Sequence, residues 1–148
     1  MTFSEEQRIN KMSTILSTQR RLLEDLERSS VFYGEKEMTY YSALLNYIEN
    51  NQSINLYTIP VLREATKCLD DHYLLDIVQY FGGGNSRLFT IHYCYYQESD
   101  LLDIDPVEFK EYQLNKIEPV DINGNEIEDF NPNYLSFYCL INYDELNA

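Results

Sequence analysis

The side chains best able to do chemistry in this 148-residue chain are His72, His92, Cys68, Cys94, Cys139 and its twenty-five carboxylates. His92 and Cys94 are two positions apart, so on a strand both leave the same face. Cys139 would lie on a neighbouring strand. A structural zinc takes about four ligands in tetrahedral array, normally as closely spaced pairs, and the chain offers only this one pair. A Cys–His nucleophile would draw on Cys94 or Cys139 with His72 or His92. Such a thiol needs an electropositive setting to become a thiolate, and a net charge of −14 opposes it. The sequence therefore assigns no catalytic residue, no metal ligand and no cofactor.

Asp100, Asp103, Asp105 and Glu108 resemble a calcium loop, but the glycine at the sixth loop position and the glutamate at the twelfth are out of register. Leu101, Leu102 and Ile104 between them read as structural. Gly82-Gly83-Gly84-Asn85 lacks the spacing and the lysine of a phosphate-cradling loop. It reads as a helix C-cap and connection. No carboxylate pair stands out for acid–base work.

The distribution of charge says more. Residues 1–84 carry twelve acids and eight bases, whereas residues 85–148 carry thirteen acids and three bases. Asn123-Gly124 is the pair a type I′ turn prefers, which predicts a hairpin over Leu114 to Phe130. In that register Asp121 opposes Glu126, Glu118 opposes Asp129, and Val120 pairs with Ile127 on the other face. Each like-charge pair would cost roughly 0.8 kcal/mol at about 5 Å in water before screening. Acids kept at such positions point to a use in binding. Asp121, Glu126, Glu128, Glu118 and Asp129, with Asp100, Asp103, Asp105 and Glu108, form the expected partner surface.

These residues must be held by ordered elements. Ser4-Glu5-Glu6-Gln7 fits a capping box, and Ile9, Met12, Leu16, Leu23 and Leu26, with Ile15 and Leu22, form a helical stripe. Helices follow near Thr39–Asn50, with Tyr41, Leu44, Leu45 and Ile48 inward, and from Thr58-Ile59-Pro60, with Val61, Leu62, Ala65 and Leu69 inward. Asp70-Asp71 predicts a break or fresh N-cap before Leu74, Ile77, Val78 and Phe81. From Arg87 the period becomes two. Leu88 to Gln97 reads as a strand, Asp105-Pro106-Val107-Glu108 opens a short helix to about Gln113, and Tyr134 to Tyr143 is the last strand. Helices before strands predict an α+β fold with a C-terminal antiparallel sheet, as a single domain with a helical half (1–84) and a strand-rich half (85–148).

Apolar residues make up 44% of the chain and charged residues 24%, ordinary for a folded domain. The opening Met1-Thr2-Phe3-Ser4-Glu5-Glu6 is polar and acidic, so no signal peptide is expected, no apolar run reaches a membrane span, and three cysteines cannot all pair within one chain. A reduced, cytoplasmic protein is expected. A pI near 4.3 repels phosphate backbones and anionic lipid, so direct nucleic-acid and membrane binding are not expected. Fourteen tyrosines and no tryptophan suit a surface that is half packed and half wet. The expected partner is a protein with a basic surface, such as a nuclease, toxin or other nucleic-acid-binding protein. In composition the chain is similar to immunity proteins and phage-encoded inhibitors. The alternatives are a structural or regulatory subunit docking through helix 4–28, and a small enzyme using carboxylates.

Overall fold

Apolar residues that recur every three or four positions up to Phe81, then every second position, dictate helices before strands. A computed structural model describes residues 5–29, 34–83 and 86–142. Along them run α1 (Glu5–Ser29), α2 (Glu35–Asn50), β1 (Leu56–Tyr57), α3 (Ile59–Thr66), α4 (Asp71–Gly82), β2 (Phe89–Gln97), β3 (Asp100–Ile104), α5 (Pro106–Asn115) and β4 (Leu135–Ile141). The strands form one antiparallel sheet in the order β1-β4-β2-β3. The fold is α+β, as the sequence predicts. The chain divides into two compact units, Met1–Thr90 with Leu140–Ala148, and Ile91–Cys139.

In the first unit, α1 lays Met12, Ile15, Leu16 and Leu23 into the core and packs on α2. Gln19 interrupts that stripe, only 1% exposed. Its Nε2 donates to the Ser86 carbonyl at 2.7 Å, and its Oε1 accepts from Ser86 Oγ at 2.6 Å. A buried amide is tolerated because both of its ends are satisfied. The expected Ser4 cap, and the side chains of Gln7 and Ile9, lie outside the described residues.

Helix α2 starts at Glu35, ahead of the expected Thr39. The reason is a cap: Glu37 Oε2 accepts from the Gly34 N–H at 3.1 Å, and Met38 N donates to the Gly34 carbonyl. An acid three residues past the cap is half of a capping box. Tyr41, Leu44, Leu45 and Ile48 point inward as expected.

Helix α3 ends where Lys67 takes a left-handed conformation at φ 62. That turn carries Cys68 into the core and leaves Leu69 84% exposed, which corrects its place in the inward stripe. Asp70 caps α4, accepting from His72 N at 2.9 Å and Tyr73 N at 3.4 Å. Gly83 forms the C-cap in an extended conformation, while Gly84 and Asn85 lie outside the described residues.

In the second unit, β2 and β3 pair antiparallel in the register Tyr93–Ile104, Cys94–Asp103, Tyr95–Leu102, Tyr96–Leu101 and Gln97–Asp100. Glu98-Ser99 makes the turn, with Glu98 at φ 52. Helix α5 opens as the sequence predicts, Asp105 Oδ1 accepting from Val107 N at 2.9 Å, and runs to Asn115 rather than Gln113. Phe109 stacks on Tyr93 at 4.2 Å between centroids. Tyr95 is buried against Phe130 and Tyr134, and its hydroxyl oxygen accepts from Asn131 N at 2.9 Å. Strand β4 buries Phe137, Cys139 and Ile141 on alternate positions. It begins one residue later than expected because Pro132–Tyr134 form a 3-10 turn capped by Asn131. Tyr143 lies outside the described residues.

Candidate functional site

The segment after α5 is where sequence and structure part most clearly. No long hairpin spans Leu114 to Phe130. Leu114 belongs to α5, and the ladder among the described residues is one bridge, Val120–Glu126. That bridge shifts the expected register by one residue, so Asp121 does not face Glu126 and Val120 does not pair with Ile127. Asp121 N donates to the Asn125 carbonyl, and Gly124 N to the Asp121 carbonyl, each at 2.9 Å. Gly124 takes φ 83 while Asn123 keeps a negative φ. This is a three-residue loop with a left-handed glycine at its end, not the two-residue turn Asn-Gly suggests.

Asp121 is the reason. Its Oδ1 accepts from Asn123 N and Asn125 N, each at 2.9 Å. An aspartate at the head of a turn ties down the backbone ahead of it. This acid is retained for folding as much as for charge, and the predicted cross-strand repulsion at Asp121 does not exist.

The other expected partner residues fall into two groups. Asp105 is a helix cap. Asp100, Asp103, Glu108, Glu118, Glu126, Glu128 and Asp129 make no side-chain hydrogen bond or ion pair with the described residues. The structure brings Asp103 next to the Asp121 turn, because Ile122 N donates to the Asp103 carbonyl at 3.0 Å. Asp100 sits at the other end of β3, across from Gln97. Glu108 lies in the first turn of α5, where a carboxylate complements the helix dipole. Glu118, Glu126, Glu128 and Asp129 are exposed on the irregular chain between α5 and β4. Asp100 and Asp103 also lie on an edge strand, where charge deters unwanted strand pairing.

Residues 91–139 hold eleven carboxylates against two lysines. Every ion pair among the described residues falls between Arg20 and Asp71, so that charge is left uncompensated. The same unit carries exposed apolar side chains outside the expected partner surface, namely Tyr96, Leu101, Val107, Leu114, Ile117, Ile122 and Tyr134, and the exposure of Leu101 corrects its reading as a structural residue. Seven of the nine large exposed apolar side chains described are therefore here, interspersed with the acids. Val107 and Leu114 are seven apart and share a face of α5. That spacing, in a helix that buries only Phe109, was the signal available in the sequence.

The thiols are placed against reactivity. Burial first, then the Asp103 carboxylate, pushes Cys94 up to about 11. Burial pushes Cys139 up to about 12. His92 stacks flat on Tyr138 at 5.0 Å rather than turning to a thiol. The Tyr96 and Tyr138 phenols beside Cys94 are also raised, by desolvation first. The described residues contain no group of three or more His, Cys, Asp or Glu side chains that could share a metal ion. No helix among them is long and apolar enough to cross a membrane. Comparison of the chain with family models, curated proteins and solved structures gives no match in any of the three.

Proposed function

We propose that the chain is a protein-binding inhibitor whose unit 91–139 covers a basic surface of another protein, of the kind that handles nucleic acid. The observation that carries this reading is the eleven carboxylates against two lysines, unpaired within the unit and interspersed with exposed apolar side chains. A basic groove that binds phosphate would be occupied by carboxylates at the spacing of charges rather than by nucleic acid itself. Leu101, Val107, Leu114, Ile117 and Ile122 would supply the apolar contact that charge alone does not give. The reduced, intracellular setting read from the cysteines belongs to this proposal.

Docking through α1 is less favoured, since Met12, Ile15, Leu16 and Leu23 are already buried. The test is capture from the native cell by the immobilised full chain, beside a Glu118→Lys, Glu126→Lys, Glu128→Lys variant. The expected result is a basic, nucleic-acid-handling protein held by the natural chain, released by salt and lost with the variant. Equal capture by both chains would overturn the reading.

A further inference from the structure

Strand β3 is an edge of the sheet, paired with β2 on one side only. Gln97 and Asp100 close the two-residue turn Glu98-Ser99, so that pair exchanges both of its backbone hydrogen bonds. Alternation then makes Tyr95–Leu102 and Tyr93–Ile104 the bonded pairs, and turns the backbone of Leu101 and Asp103 away from β2. Ile122 fixes that parity independently, because its N–H donates to the Asp103 carbonyl at 3.0 Å from the open side. Three groups on that side remain without a hydrogen bond to the described residues: the Leu101 N–H, the Leu101 carbonyl and the Asp103 N–H.

The side chains around these groups are open as well. Tyr96 and Leu101 stand opposite each other on one face, 46% and 45% exposed. Asp103 shares that face and Asp100 lies on the other, each carboxylate exposed and without a cation among the described residues. A bare edge is a template for another strand, and charged side chains along it decide which strand is admitted. Here those side chains are aspartates. They repel the acidic edge of a second copy, and the same charge attracts a strand that carries bases.

We propose that this edge takes an extended, basic segment of the partner protein as an added strand, bonded to the backbone of Leu101 and Asp103. The inference rests on the reading of unit 91–139 as the surface that meets a basic protein, and names the form of segment it takes. Whichever way the segment runs, bases three residues apart fall beside Asp100 and Asp103, and the two residues between them fall beside Leu101 and Leu102. Main-chain bonds then give the affinity, and these side-chain positions give the selectivity. Ile122 ends the free edge at the Asp103 carbonyl, so the added strand is short.

The test follows amide hydrogen exchange and amide chemical shifts in the full chain, alone and with the blocked peptide Gly-Lys-Leu-Val-Lys-Gly. In the free chain the Leu101 and Asp103 amides should exchange at least about tenfold faster than those of Leu102 and Ile104, which bond to β2. The peptide should bind with a Kd of about 0.1–1 mM and slow exchange at Leu101 and Asp103. Two peptides of the same charge are the controls. Gly-Leu-Lys-Lys-Val-Gly misplaces the bases, and the parent methylated on its valine nitrogen loses the N–H that meets the Leu101 carbonyl in either direction. Each should bind at least about fivefold more weakly. Leu101→Pro removes only an outward N–H, the one kind an edge strand can lose to proline. It should weaken the peptide about fivefold while the Leu102 and Ile104 amides stay protected, and Asp103→Asn should weaken it about threefold.

A Leu101 amide already protected in the free chain, controls that bind like the parent, or full binding by Leu101→Pro would overturn the proposal. A native partner held by Leu101→Pro as tightly as by the natural chain, and released by salt from both, would overturn it too and leave the proposed function standing. Peptide binding at Leu101 with no basic partner captured would sink the proposed function alone.

Discussion

Replacing Asp121 separates the folding role of the acidic turn from its charge. Its Oδ1 accepts two backbone N–H groups at 2.9 Å each, from Asn123 and Asn125. The turn is at the surface, so water can replace part of what is lost. Bonds to an ionised acceptor contribute about 1.5–3 kcal/mol each when buried, and removing an exposed carboxylate cap costs about 0.5–2 kcal/mol. Asp121→Ala should therefore destabilise the fold by about 1–2 kcal/mol, and Asp121→Lys by at least as much. Asp121→Asn keeps an acceptor oxygen and should lose only a few tenths. Glu126 makes no such bond, and Glu126→Lys should fall within about 0.5 kcal/mol of the natural chain. Urea melts of the four variants, fitted for midpoint and slope, measure this. A midpoint unchanged in Asp121→Ala, or a Glu126→Lys variant as unstable as Asp121→Lys, would refute the assignment of Asp121 as the turn's anchor.

Three further outcomes follow from the structure. Gln19→Leu keeps volume but leaves the Ser86 carbonyl and hydroxyl without their buried partner, and should cost about 2–4 kcal/mol in a denaturant melt. Leu69→Asn, at a position 84% exposed, should leave the melting temperature within about 2 °C. Cys94 and Cys139 titrate higher in the folded chain, at about 11 and about 12 against an ordinary 9.0. The unfolded chain therefore ionises first as pH rises. Their contribution to stability should fall by a few kcal/mol between pH 9 and 12. A double Cys→Ala variant should show a smaller fall, with the raised Tyr96 and Tyr138 phenols keeping part of it, and both thiols should resist alkylation at pH 8 until the chain unfolds.

The fold was legible where one signal dominated. Helical periodicity placed Tyr41, Leu44, Leu45, Ile48, Leu74, Ile77, Val78 and Phe81 in the core, and Asp70 and Asp105 were readable as caps. Strand β3 was not readable because Asp100 and Asp103 fall on opposite faces and hide the alternation. Leu69 misled because helical spacing continued past the point where Lys67 turns the chain. The Asn-Gly pair was read as the turn, when the preceding aspartate decides its type by claiming two backbone N–H groups. The acids of the candidate surface could be named from sequence. Their freedom from internal cations could not, because ion pairing is settled by tertiary placement. Tyr41, Tyr57 and Tyr95 are buried in the core, where each meets another ring, as with Tyr41 on Tyr80 and Tyr95 on Phe130.

The most direct test of the central claim is the association rate with the captured partner across ionic strength, for the natural chain and for Glu126→Lys, Glu128→Lys. Long-range attraction to the acidic unit predicts a rate that falls at least tenfold between about 20 and 300 mM salt, with little change in dissociation. The double reversal should lower the low-salt rate and flatten its salt dependence while leaving the denaturant midpoint unchanged. An association rate that ignores salt, or a double variant that associates like the natural chain, would contradict the account.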